Sequence, residues 1–181
     1  LDIHAATAAK VYGVELSMVS SEMRRNAKAV NFGIAYGQSA FGLSQTLGIS
    51  RTDAKEIIDN YQKQFPGVSQ LMAKNIEFAH QHGFVQTVLG RRRYLRDINS
   101  ANFTVRAQAE RLAINAPIQG SAADMIKVAM INIHNEFTKR QFKTRMTLQV
   151  HDELVFDTHI SELEEVKSIV VELMKNSMPL G

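Results

Sequence analysis

Apolar residues recur at helical spacing along most of this chain, and the recurrence is interrupted at glycines and prolines. The pattern predicts a helix over residues 3–12, stopped by Gly13, and a second from Glu22 to about Tyr36 with an acid in its first turn. Gly37, Gly42 and Gly48 then punctuate the next stretch. Ser50, with Asp53 three residues on, has the form of a capping box and opens a helix over 51–65, which Pro66-Gly67 ends. A further helix is expected over about 68–82, stopping at Gly83. Residues 84–101 read as irregular or weakly stranded. A helix over about 103–115 is expected to break at Pro117, because proline lacks the amide hydrogen that the helical ladder needs. Another follows over about 119–140, with Met125, Val128, Ala129 and Ile133 as its buried stripe. The period then shortens. Residues 145–150 and 154–158, rich in Val, Leu, Phe and Thr, predict a β-hairpin. Ser161 with Glu164 forms a second apparent capping box, ahead of a helix whose apolar face is Leu163, Val166, Ile169, Val170 and Leu173. A mostly helical chain with one hairpin belongs to the α+β class.

The 181 residues are 45% hydrophobic and 22% charged, enough apolar material for one domain or two small ones. Absence of cysteine excludes disulfides and thiolate metal sites, and fits a reducing compartment. No apolar run is long enough to cross a bilayer, so a membrane partner is not expected. The chain opens on Leu1 rather than methionine and stops at Gly181 directly after an apolar helix, as a segment of a longer chain would. The net charge of +3 says less than its distribution. Arg91, Arg92, Arg93 and Arg96 fall in one short stretch and Arg24, Arg25 and Lys28 in another, which is the clustering expected of a nucleic-acid surface.

Arg24, Lys28, Phe32 and Tyr36 are spaced four apart and so form one slowly drifting stripe on a helix. The stripe begins with two cations and ends with two aromatics. A nucleoside triphosphate has the same order of parts: charged phosphates, then a sugar, then a flat base. Arginine forks onto phosphate oxygens and lysine supplies a point charge, while aromatic rings pack sugars and stack on bases. Gly33 and Gly37 remove side chains beside the aromatics, which lets another surface approach closely. Spacing alone also fits a solvated basic turn followed by two core aromatics. The literal string decides between them. Arg24-Arg25-Asn26-Ala27-Lys28-Ala29-Val30-Asn31-Phe32-Gly33-Ile34-Ala35-Tyr36-Gly37 resembles, at every fixed position, the fingers-helix motif R-x-x-x-K-x-x-x-[FY]-G-x-x-Y-G of family A DNA polymerases, the bacterial DNA polymerase I family.

A second string supports the resemblance. Gln149-Val150-His151-Asp152-Glu153-Leu154-Val155 places three polar residues between two apolar strands, at a turn that lacks the glycine or asparagine usual in a tight hairpin. A rigid apex is a sound place for carboxylates that hold a hard cation. Q-V-H-D-E is also the second acidic palm motif of family A. By that resemblance Asp152 is a catalytic metal ligand, Glu153 a second and less certain one, and His151 a contact to the primer terminus or else a structural residue between the strands.

Two further segments resemble the family. Glu110 to Gly120 is similar to the segment that runs beside the primer–template minor groove, where Asn115 and Gln119 would donate to acceptors common to all base pairs and Arg111 would touch the primer strand. Gly90-Arg91-Arg92-Arg93-Tyr94-Leu95 resembles G-R-R-R-x-L, with Arg96-Asp97 where the family often has Pro-Asp. Its arginines suit a phosphate backbone. Asp2-Ile3-His4 also matches a family string and reads as a structural marker rather than a metal site. The resemblance runs from Asp2 to about Leu173, but the family's first acidic palm motif, D-Y-S-x-I-E-L-R, does not occur.

The resemblance implies a palm-to-fingers lead-in helix over residues 1–18, a fingers subdomain over 19–101 and a partial palm with the acidic hairpin over 102–181. It implies a DNA-directed DNA polymerase, a nucleotidyltransferase that adds deoxynucleotides to a primer 3′-end. Its substrate is a deoxynucleoside triphosphate (dNTP) and its cofactor two magnesium ions (Mg2+). Primer–template DNA and the remaining polymerase chain (upstream palm and thumb) would be its partners, and the cytoplasm of a bacterial or phage-infected cell its location. The segment alone is expected to be inactive, since one acidic corner cannot build a two-metal site. A non-catalytic nucleic-acid-binding module that kept the fold is the alternative.

Overall fold

Local side-chain chemistry sets most of the helix boundaries in the computed structural model, which describes residues 2–178. Leu1 and residues 179–181, the outer ends of the first and last expected segments, lie outside the described residues. The chain divides into two compact units, Leu1–Gln86 with Gly90–Ile118, and Thr87–Leu89 with Gln119–Gly181.

In the first unit, α1 (Ile3–Tyr12) starts where the Asp2 carboxylate accepts from the amides of His4 and Ala5, and stops at Gly13 in the left-handed region. Helix α2 (Ser21–Ala35) starts at Ser20, whose hydroxyl accepts from the Met23 amide at 3.1 Å. It ends in a full Schellman turn. Gly37 takes φ +66°, its amide donates to Ile34 O at 2.8 Å, and the Gln38 amide reaches back to Gly33 O at 2.7 Å. Helix α4 (Arg51–Gln64) is capped by Ser50 as expected, with Asp53 N donating to its hydroxyl at 3.1 Å. Helix α5 (Pro66–His82) begins on Pro66 itself, two residues earlier than expected. At a first-turn position the missing amide costs nothing.

The glycine-punctuated stretch contains a further helix, α3 (Ala40–Leu47), capped by Ser39 and closed by Gly48 at φ +68°. Gly42 lies within that helix because Gln38 needs its space. A β-carbon at Gly42 would come within 2.7 Å of Gln38 Cγ, and one at Gly33 within 2.5 Å of Gln38 Oε1. The two glycines cradle one glutamine, whose amide donates to Thr46 Oγ1 at 2.9 Å. Val30, Ile34, Leu43, Ala54 and Tyr61 form the core beneath α2, α3 and α4. Each fully buried aliphatic side chain there contributes roughly 1.5–3 kcal/mol.

Residues 84–101 contain a short antiparallel hairpin, β1 (Phe84–Gln86) and β2 (Arg92–Tyr94), with Val85 opposite Arg93. Val85, Leu95 and Ile98 anchor it in a second core with Ala79, Ala109 and Ala113. The expected break at Pro117 is absent, and α6 runs unbroken from Phe103 to Arg140 (Phe103–Arg140). One proline removes one hydrogen bond from a long ladder. The helix is anchored before the proline by Ala109 and Ala113 in one core, and several turns beyond it by Ile133 and Phe137 in another.

In the second unit, the later part of α6 packs against the hairpin β3 (Arg145–Val150) and β4 (Glu153–Asp157), and against α7 (Leu163–Lys175). Ala129 and Ile133 of the expected stripe are buried, with Met125 and Val128 partly so. The expected Ser161–Glu164 capping box does not form. A 3₁₀ turn (Ile160–Glu162) precedes α7, and the amide of Ser161 donates to His159 Nδ1. Glu162 takes a different task. Its carboxylate accepts from the amides of Lys143 (3.0 Å) and Thr144 (3.0 Å) and from the Thr144 hydroxyl (2.7 Å), tying α7 to the entry of β3. On α7, Val166 and Ile169 are buried, whereas Leu163 at its start is exposed. The architecture is α+β, mostly helical with two small antiparallel hairpins. Among the described residues no helix is long and apolar enough to cross a membrane.

The Lys143 amide, then the Thr144 hydroxyl and amide, hold the Glu162 carboxyl below the usual range. A depressed folded pKa stabilises the fold fully above the ordinary carboxylate value of about 4, and the contribution fades as pH falls through the lower folded value. Glu162→Gln should therefore accelerate amide hydrogen exchange at Lys143 and Thr144 at neutral pH. The difference from wild type should close in strong acid. Equal protection at neutral pH would remove the tie.

Candidate active site

Helix α2 buries Ala27, Val30, Gly33 and Ile34, which turns the opposite face to solvent. That face carries Arg24, Lys28, Phe32 and Tyr36, all exposed. Phe32 and Tyr36 lie nearly parallel, with centroids 6.4 Å apart and planes at 21°. The Lys28 ammonium sits 6.0 Å from the Phe32 centroid, at the outer limit of a cation–π contact. Two aromatics about half exposed on a helix with a well-filled far side are not core residues, so the alternative reading of the stripe as packing does not hold for them.

The N-terminal strand of sequence set aside as a structural marker borders this face. Asp2 Oδ2 accepts from Arg24 Nε at 2.7 Å. The Arg24 guanidinium first, and then the Ala5 amide, hold the Asp2 carboxyl below the usual carboxylate range. His4 lies 6.0 Å from Phe32, ring to ring. Its orientation follows from a short chain of hydrogen bonds. The Thr7 hydroxyl donates to Ile3 O at 2.8 Å and so accepts from Asn31 Nδ2 at 3.1 Å. The same amide nitrogen lies 3.1 Å from His4 Nδ1, which therefore accepts and leaves the proton of the neutral ring on Nε2. His4, read in the sequence only as part of a structural marker, thus borders the site together with Asn31, which lies inside the matched motif but at none of its fixed positions and one residue off the period-four stripe.

The end of the stripe is fixed from below. A β-carbon on Gly37 would stand 3.2 Å from both Arg111 Cγ and Ile114 Cδ1. Asn115 Nδ2 donates to Ala35 O at 3.3 Å, a bond between residues 80 apart in sequence. The surface that approaches Gly33 and Gly37 is thus the chain's own. Arg111 is exposed, while Asn115 is half-buried and committed to the backbone of α2.

Arg91, Arg92 and Arg93 are all exposed on the first unit's hairpin. The Arg92 guanidinium lies over the Phe84 ring at 4.6 Å, and Phe84 packs beside Tyr94 at 5.7 Å. These aromatic contacts shape the basic surface, and Gly90 at φ +78° sets its approach.

In the second unit, β3 and β4 pair from Arg145–Asp157 to Val150–Glu153, leaving a two-residue turn of His151 and Asp152. His151 takes φ +54°, a left-handed conformation that costs a non-glycine residue roughly 1–2 kcal/mol. Its carbonyl accepts from Gln149 Nε2 at 3.0 Å. Met146, Leu154 and Phe156 pack inward on Ile133, Phe137, Val166 and Ile169, so the strained turn is held by the core beneath it. His151, Asp152 and Glu153 are exposed, as is Gln119 on α6. Adjacent carboxylates on such a turn suit a hard, oxygen-seeking cation. Among the described residues no three His, Asp or Glu side chains gather to hold one.

Comparison with known proteins agrees with the strings that carry these side chains. A profile of DNA polymerase family A matches residues 1–181. DNA polymerase I of Lactococcus lactis subsp. cremoris (strain MG1363) is 49% identical over 99% of this chain and 21% of its own length. The corresponding protein of Streptococcus pneumoniae (strain R6) is 50% identical over 99% and 21%, and that of Bacillus subtilis (strain 168) 48% identical over 99% and 20%. The chain thus spans about a fifth of the length of the curated relatives it matches. Among solved structures, the POL domain of Pol1 from M. smegmatis, in complex with DNA primer-template and dNTP, superposes with a TM-score of 0.94 at 45% identity, over 98% of this chain and 31% of that one. The match along the whole sequence and the agreement in fold place this chain in DNA polymerase family A.

Proposed function

We propose that this chain is the nucleotide-gripping part of a DNA-directed DNA polymerase, with fingers over residues 19–101, a lead-in helix over 1–18 and part of the palm over 102–181. The observation that carries the reading is the exposed stripe on α2, ordered from two cations to two aromatics on a helix whose other face is buried. Similarity to a domain bound to primer-template and dNTP supports it.

In this reading Arg24 and Lys28 bind the triphosphate, and Lys28 stabilises the charge that gathers on pyrophosphate as it leaves. Phe32 packs the sugar and Tyr36 borders the base. Arg91, Arg92 and Arg93 follow the phosphate backbone, and Arg111 and Gln119 follow the duplex without reading its sequence, while Asn115, whose amide donates to Ala35 O, supports them from α6. His151 meets the primer end. Asp152, with Glu153 beside it, would hold Mg2+, which when bound lowers the charge cost of the attacking and leaving oxygens. The remaining carboxylates come from other parts of the polymerase. The site of action is the cytoplasm of a bacterium or phage-infected cell, where the DNA is.

Three measurements test this. Lys28→Ala in the full-length polymerase should cut kcat by about 100- to 1,000-fold, with DNA affinity unchanged, because a phosphate-stabilising cation acts on the transition state. A fall in DNA affinity alone would move Lys28 to the duplex track. Asp152→Asn should abolish primer extension while the thermal midpoint equals or exceeds wild type, since an exposed turn loses a charge and little packing. Near wild-type extension, or unfolding, would sink the metal assignment. Finally, the 181-residue chain alone should give no primer extension beside the full-length enzyme, and robust extension would show that its carboxylates suffice.

A further inference from the structure

The Asp2–Arg24 pair lies at the phosphate end of the stripe, yet the proposed chemistry leaves Asp2 without a role. Ion pairs between two exposed side chains usually contribute little, because both must be ordered against thermal motion. This pair differs in that one partner is already fixed. Asp2 is short, and its Oδ1 accepts from the amides of His4 at 3.0 Å and Ala5 at 3.1 Å in the first turn of α1. Only the arginine is left to be ordered, and its Nε meets Asp2 Oδ2 at 2.7 Å.

The atoms used matter. A guanidinium carries five N–H groups, and phosphate recognition is strongest when two of them bind in parallel. The bond to Asp2 takes the single hydrogen on Nε and leaves the two Nη groups as a forked edge. Both side chains are about half exposed, 48% for Arg24 and 45% for Asp2, so that edge is open to a ligand from solvent. A bidentate grip by the carboxylate would have consumed the fork, but this geometry preserves it.

We propose that Asp2 is a positioning residue for the triphosphate, holding Arg24 by Nε through a carboxylate anchored on α1 so that the Nη edge is set for phosphate oxygens. This rests on the reading of α2 as the triphosphate-binding helix. It makes the start of α1 part of the binding apparatus and gives the Asp2 carboxylate two simultaneous tasks, capping a helix and aiming a cation.

Those tasks can be separated. Asparagine is as good an N-cap as aspartate but carries no charge. In the full-length polymerase, Asp2→Asn should leave the thermal midpoint unchanged and raise the dNTP KM roughly tenfold, the scale of one charge-assisted hydrogen bond, with kcat within about twofold. Arg24→Ala should raise KM at least as much, and Asp2→Asn added to it should change nothing further. If Arg24→Ala raises KM while Asp2→Asn leaves it unchanged, Asp2 is only a cap and the proposal is wrong. A lower KM in Asp2→Asn would make Asp2 a competitor of phosphate, which also overturns it, as would equal effects of Asp2→Asn in both backgrounds. If Arg24→Ala itself leaves KM unchanged, the triphosphate reading of the stripe fails, and the positioning role falls with it.

Discussion

The left-handed turn at Gly37 is the constraint on which the first unit depends. It closes α2 with two backward hydrogen bonds, to Ile34 and Gly33, and does so where a β-carbon would press tightly on the side chains of Arg111 and Ile114, 3.2 Å from each. The chain can therefore turn sharply while its backbone lies against α6, and Asn115 adds a hydrogen bond to Ala35 at the same place. Through this contact the core around Val30, Ile34 and Leu43 is joined to the helix that carries Ala109 and Ala113 into the neighbouring core. A left-handed, closely packed position tolerates glycine and little else.

With its end fixed in this way, α2 can expose two aromatics and two cations without losing its place. The apolar side supplies the stability, and the exposed side is available for chemistry. The same division holds at the acidic hairpin, where Leu154 and Phe156 pack inward beneath a turn that places His151 in a costly conformation and presents Asp152 and Glu153 to solvent. In both places an exposed group stands on a packed support.

Much of this was legible along the chain. Ser50 and the glycines after α1 and α5 act through their own backbone neighbours, so their effect on helix ends can be read locally. The local rules failed where a longer-range partner outweighed them. Gly42 reads as a breaker until Gln38 is seen to need its space. Pro117 reads as a stop until the helix is found anchored in one core before it and in another several turns beyond it. Ser161 and Glu164 have capping-box spacing, but Glu162 holds the entry of β3 and α7 starts after a 3₁₀ turn instead.

The sequence by itself determined the family, the order of Arg24, Lys28, Phe32 and Tyr36 along one helical stripe, and the placing of Asp152 at a hairpin turn. Each depends on residue identity and on periods of two or four positions, and these survive in a linear string. Only the tertiary structure decided which groups hold the site in place: Asp2 on Arg24, Asn31 on His4 and Thr7, and Asn115 on Ala35. These partners lie from 22 to 80 residues apart. A hydrogen bond acts over about 3 Å and is indifferent to the length of chain between its ends, so no local period records it.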